Sequence, residues 1–159
     1  MNSNQILVPP RAQAPLKLVA FSVPPLQLAL PIAQVQKILN CGEIGGSGLS
    51  ATGIIRMDGE EIMVVDLQKR LFGGNQGKIT GVKAYLLIAR TSKRERFGLV
   101  TAQAPALMDV PVEQIRVLPD SYRRSDTLSI ASHVARIPQG DSNPPLTVFI
   151  LDSDRLLGA

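Results

Sequence analysis

Chemistry in a protein needs nucleophiles, proton carriers or metal ligands at workable spacing, and this sequence holds few. Two close acidic pairs, Glu60–Glu61 and Asp152/Asp154, are the candidates for acid–base partnership. Neighbours on a strand point to opposite faces, so Glu60 and Glu61 do not share a site. Asp152 and Asp154 fit the start of a helix, where carboxylates meet unpaired amides and the positive end of the dipole. His133 sits in SIASHVARI, a strand-like run with no Ser/Asp partner identifiable by motif, the pattern of a strand histidine rather than a catalytic base. Cys41 has no basic neighbours in sequence to activate a thiolate and reads as a small packing residue. One Cys and one His cannot form a Cys/His zinc site, and an internal disulfide is excluded. The expectation is a non-enzymatic chain with no catalytic residue, metal or cofactor.

The composition agrees. The chain has 159 residues, 45% of them hydrophobic and only 4% aromatic, with a formal net charge of +4. A chain of this size buries roughly 69% of its extended surface on folding, enough for a core without disulfides or metals. No apolar stretch approaches the ~20 residues of a membrane helix. The first residues, MNSNQILVPPRAQAP, show no basic start followed by a sustained apolar run, so no secretory signal is read there. A cytoplasmic domain that does not insert into membrane is expected.

Positive charge raises nucleic acid as a partner. The densest cluster, Arg90, Lys93, Arg94 and Arg96, falls at one predicted hairpin tip. A barrel binding single strands also needs aromatic stacking platforms, whereas Phe21, Phe97, Phe149 and Tyr85 lie in apolar strands, and Phe72 and Tyr122 complete the aromatic set. A solvated tip, or one that steers an acidic protein partner, is the expectation. A basic nucleic-acid-binding barrel remains the alternative.

The elements that position these residues are short. Residues 1–15, with Pro9, Pro10 and Pro15, read as a flexible leader. Strands are predicted from Leu16 and over Leu26–Ile32, and a short helix over Ala33–Leu39 with Val35, Ile38 and Leu39 at core-facing spacing. Residues 40–53 form a Gly-rich connection whose spacing matches neither phosphate-loop pattern. Asp58-Gly59 between Ile54–Met57 and Glu60–Val65 is a hairpin signal, because both residues tolerate positive φ. Asp66 caps a helix over Leu67–Phe72, ended by Gly73-Gly74. Strands follow over Ala84–Thr91 and Arg96–Ala102. Pro105–Val110 leads into a helical turn at Val112–Ile115, and a strand pair covers Leu128–Ile137 and Leu146–Leu151. A terminal helix over Asp152–Leu157 completes a mainly β, barrel-like architecture.

The order of these landmarks resembles the CheW-like domain family. GIIRMDGEEIMVVDLQ, residues 53–68, is similar to the family signature G-V-x-N-L-R-G-x-x-x-P-V-x-D-L-R. Val35 and Ile38 stand where the family has V-x-E-I. FGLV at 97–100 resembles its G-(I/L)-V strand, PVEQIRVLP at 111–119 its x-E-x-I-x-x-x-P segment, and FILDSDRLL at 149–157 its closing I-L-D-x-D-K-L-L. The resemblance spans residues 16–157. It implies a domain of two five-stranded, SH3-like β-barrels packed on a shared hydrophobic seam. It also implies an adaptor that joins the regulatory domain of a CheA-type histidine kinase to the cytoplasmic tip of a methyl-accepting chemoreceptor, recruited to membrane receptor arrays. Such adaptors serve flagellar, pilus-driven or phototactic motility. A general interaction scaffold of the same fold is a further alternative.

Carried over position by position, the resemblance places Val35, Lys37, Ile38, Gly53, Met57, Asp58 and Gly59 at the receptor- or kinase-binding site. The departures are Lys37 for the family's Glu, Asp58 for its Arg, Arg56 for its Asn, Met63 for its Pro and Ala102 for an Asp. The first two are opposite in sign. They are expected either to face each other as an ion pair of inverted polarity or to be unrelated changes on an exposed surface. A partner shaped against an Arg at the hairpin would be repelled by Asp58.

Overall fold

In the computed structural model, the structure describes residues 14–42, 52–72, 84–123 and 128–158. Most of the leader, most of the Gly-rich connection and Gly73-Gly74 lie outside the described residues. β1 (Leu16–Val23) and β2 (Leu26–Pro31) form the first hairpin. β3 (Val35–Gly42), β4 (Thr52–Met57), β5 (Glu60–Asp66), helix α1 (Leu67–Phe72), β6 (Ala84–Arg90) and β7 (Arg96–Thr101) follow. The chain ends with β8 (Ala106–Val110), β9 (Ile115–Val117), α2 (Asp120–Arg123), β10 (Ala131–Ile137), β11 (Leu146–Leu151) and α3 (Ser153–Gly158). The strands make two curled sheets, one ordered β8-β1-β2-β11-β10-β9 and the other β3-β6-β7-β5-β4. The mainly β, two-barrel architecture is therefore present, and three-residue β9 gives the first sheet a sixth strand.

The apolar runs in β1 and β2 are continuous because both of their faces are covered. Leu18, Ala20 and Ala29 turn into the first barrel with Val110, Ala135, Val148 and Ile150. The alternate residues Val19, Phe21, Val23, Leu28 and Leu30 turn the other way and form the seam. Opposite them stand Val65, Leu87, Phe97 and Leu99 of the second sheet, with Leu67 of α1 and Leu156 of α3. Val64, Ala84, Leu86, Ile88 and Val100 fill the second barrel. The period of two thus separates three cores, and each large side chain buried in them contributes about 1.5–3 kcal/mol.

One expected element is corrected. Residues 33–39 are not a helix: a single 3-10 turn, Ile32–Gln34, leads into strand β3. The ladder with β6 shifts between Val35 and Lys37, and again between Asn40 and Gly42. An inserted residue reverses the facing of everything beyond it. Val35 accordingly packs against the seam while Leu39, four residues later, packs inside the second barrel. A bulged strand therefore imitates the apolar spacing of a helix.

Candidate functional site

The β4–β5 hairpin follows from its turn. Asp58 and Gly59 have φ of 54° and 80°, and Met57 pairs with Glu60 across them. Two positive φ values in a two-residue loop define the tight turn whose twist suits a β-hairpin. Parity then sorts the flanking side chains. Ile55 and Met57 turn towards the second barrel's interior, while Ile54 and Arg56 turn outward, opposite Met63 and Glu61. Glu61 pairs with Arg56 at 3.8 Å and Glu60 with Arg96 at 2.9 Å, so the two acids serve different faces.

The site residues inferred from the sequence lie on both edges of the second sheet. Val35, Lys37 and Ile38 belong to β3 at one edge; Gly53 and Met57 belong to β4 at the other, followed by the Asp58–Gly59 turn. Lys37, Ile38, Gly53, Asp58 and Gly59 are exposed, whereas Val35 and Met57 are half-buried and pack against the cores.

The structure links these two edges through a residue that lies on neither. Arg96, the first residue of β7, donates from Nη1 to Glu60 Oε1 at 2.9 Å and from Nη2 to Asp58 Oδ2 at 3.2 Å. Its Nε donates to Gln36 Oε1 at 3.1 Å. The Arg96 side chain is 15% exposed, against 64% for Asp58. The hydrogen bond to Glu60, reinforced by that to Asp58 and by both charges, holds the guanidinium above its ordinary value.

Two expectations change as a result. Asp58 is engaged by Arg96 rather than by Lys37, and Lys37 makes no ion pair among the described residues. Nor is the basic tip uniformly solvated. Lys93 and Arg94 are exposed, but Arg96 is bound into the cluster. The tip itself is ordered by Thr91, whose Oγ1 accepts from the backbone N–H groups of Lys93 and Glu95, both at 3.2 Å.

Sequence reasoning missed two further surfaces. Ile54 and Met63, directly paired across the hairpin, are 69% and 44% exposed and extend the outer face that carries Phe97. Their β-strand parity was readable, but not where the seam stops covering that face. The second is an open groove of 630 Å³ at the mouth of the first barrel. Leu16, Val112, Ile115 and Ile150 give it an apolar wall, and His133 and Asp154 stand among its polar residues. His133 Nδ1 lies 2.8 Å from the Ser132 hydroxyl. The groove collects residues from six separated segments, so no local signal announces it. Among the described residues, no helix is long and apolar enough to cross a membrane.

Two curled sheets on one seam, with a charged cluster bridging the edges of the second, define a β-barrel module suited to docking. The family model of the CheW-like domain matches residues 17–159, and the chain belongs to the CheW-like domain family. Among solved structures, it is similar to the scaffolding protein TtCheW from Thermoanaerobacter tengcongensis, with a TM-score of 0.64 and 22% identity. The match covers 86% of this chain and 88% of that one, and establishes the shared fold. Comparison with curated proteins found no match.

Proposed function

We propose that the chain is a non-enzymatic adaptor that couples methyl-accepting chemoreceptors to the regulatory domain of a CheA-type histidine kinase. The observation that carries this reading is the match of the CheW-like domain to residues 17–159, nearly the whole folded chain. Its output is a chemotaxis-like response, through flagellar, pilus-driven or phototactic motility. Its place is the cytoplasm, at membrane receptor arrays. Val35, Lys37, Ile38, Gly53, Met57, Asp58 and Gly59 form the docking region. Lys37 and Ile38 would meet the partner directly, while Val35 and Met57 would support the face from behind. A receptor helix laid across this region supplies apolar anchors for Ile38 and polar contacts for the rim.

The nucleic-acid alternative is disfavoured by two features. Phe21 and Phe97 are buried in the seam and cannot stack on bases. Arg96, the least exposed cation of the basic tip, is already matched with two carboxylates.

Copurification of the chain with a CheA-type regulatory domain and a chemoreceptor tip fragment tests the proposal. Retention of both supports it. Failure to retain either, together with salt-sensitive binding to a nucleic-acid homopolymer, would favour the alternative.

A further inference from the structure

The docking face is divided between strands that are not neighbours. β3 and β4 are opposite edges of the second sheet, with β6, β7 and β5 between them. Among the described residues no ladder joins the Lys37–Ile38 side directly to the Asp58–Gly59 turn, so within the sheet their separation is set only through three intervening strands. We propose that Arg96 is the positioning residue that holds these two halves in one arrangement, replacing from β7 the cation that the hairpin motif has lost at Asp58. The inference rests on the adaptor reading for its consequence, but not for its geometry.

A guanidinium suits this task. Its donors lie in one rigid plane, and here each of its three nitrogens meets an acceptor from a different segment: Gln36 just inside β3, Asp58 in the turn, and Glu60 at the start of β5. A lysine offers a compact charge on a flexible stem and cannot reproduce that fan. The cation is sunk while its carboxylates reach towards it from solvent, so the turn is drawn inward towards β3. One guanidinium facing two carboxylates also occupies Asp58 and leaves Lys37 as an exposed cation for an acidic side chain on the partner.

The test uses the full chain with Arg96→Gln, Arg96→Lys and the double variant Asp58→Asn/Glu60→Gln. Two readouts are taken: amide hydrogen exchange at residues 58–60, and affinity for a purified cytoplasmic tip fragment of a methyl-accepting chemoreceptor. Arg96→Gln is expected to speed exchange in the turn and to weaken tip binding about fivefold, in the range for residues that act without touching the ligand. Arg96→Lys should not rescue either readout, although it keeps the charge. The double variant, which also changes a docking residue, is read by exchange alone and should reproduce the faster exchange with Arg96 present. Wild-type exchange in a folded Arg96→Gln chain, or full rescue by lysine, would overturn the proposal. Should Arg96→Gln fail to fold, exchange at residues 58–60 in the double variant decides, and wild-type exchange there would overturn the proposal. A wild-type chain that does not bind the tip contradicts the adaptor reading alone, and exchange at the turn still decides the role of Arg96.

Discussion

The carboxylate of Asp154 accepts hydrogen bonds from both the backbone N–H and the hydroxyl of Ser92, the former at 3.0 Å. It ties helix α3, which closes the first lobe, to the β6–β7 turn of the second. Two more bonds reinforce the clasp: the Ser153 hydroxyl donates to Gln34 Oε1 at 3.3 Å, and Arg70 Nη1 donates to the Leu156 carbonyl at 2.8 Å. The last helix thus joins by polar contacts what the seam joins by apolar ones.

The clasp makes stability depend on acid. The Ser92 hydroxyl, and then its N–H, hold the Asp154 carboxyl below its ordinary value of 3.8. A lowered folded value means that the unfolded chain takes up the proton first. The stabilisation is therefore present above the ordinary value and is lost as the pH falls through the folded one. Asp154→Asn should melt below the wild type near neutrality, and the two should converge as the pH falls from about 5 through the ordinary carboxyl range and below it. Thermal melts across that range check this; a difference independent of pH contradicts it.

Gly98 marks a packing limit inside the second barrel. A Cβ there would lie 2.9 Å from Leu86 Cδ1 and 3.2 Å from Val64 Cγ2, both on buried residues. Gly98→Val should destabilise the chain by about 1–3 kcal/mol through overpacking. The midpoint of urea unfolding measures it, and an unchanged midpoint would show that the barrel has room to spare.

Gly59 makes the opposite case: open space surrounds it, but its φ is 80°. Gly59→Val should cost about 1–2 kcal/mol from backbone strain alone. Nuclear magnetic resonance shifts should change at Asp58 and Glu60 while those of the Phe97–Leu99 strand stay in place. Shifts spread across the seam would contradict so local an effect.

The charge pattern at the proposed docking region predicts selectivity. A conventional receptor tip, matched to an acidic residue at position 37 and a basic one at position 58, meets Lys37 and Asp58 here. Binding should therefore be weaker than to a tip from a divergent cognate set, since misplaced charge discriminates between partners more than it contributes to affinity. Titration with both fragments checks this, and near-equal affinity would contradict it.

Local chemistry made the turns and most strands legible. Asp58-Gly59 specifies its own hairpin, and Asp66 Oδ1 accepts from the Lys69 N–H at 3.3 Å, as a helix cap should. The near-continuous apolar runs of β1 and β2 follow from burial on both faces. What the sequence concealed was nonlocal. The bulge between Val35 and Lys37 disguised β3 as a helix, because parity inversion is decided by the partner strand. Arg96 read as part of a solvated tip because Asp58 and Glu60 are 38 and 36 residues away and meet it only when β5 pairs with β7. Aligning motif positions suggested a Lys37–Asp58 exchange; the fold instead supplied Asp58 with a cation from β7.

Docking to a kinase is measured by titration calorimetry of the full chain against the regulatory domain of a CheA-type histidine kinase. Saturable one-to-one binding that persists at physiological salt is the expected outcome. Absence of any heat of binding with a folded chain and a folded regulatory domain would contradict it.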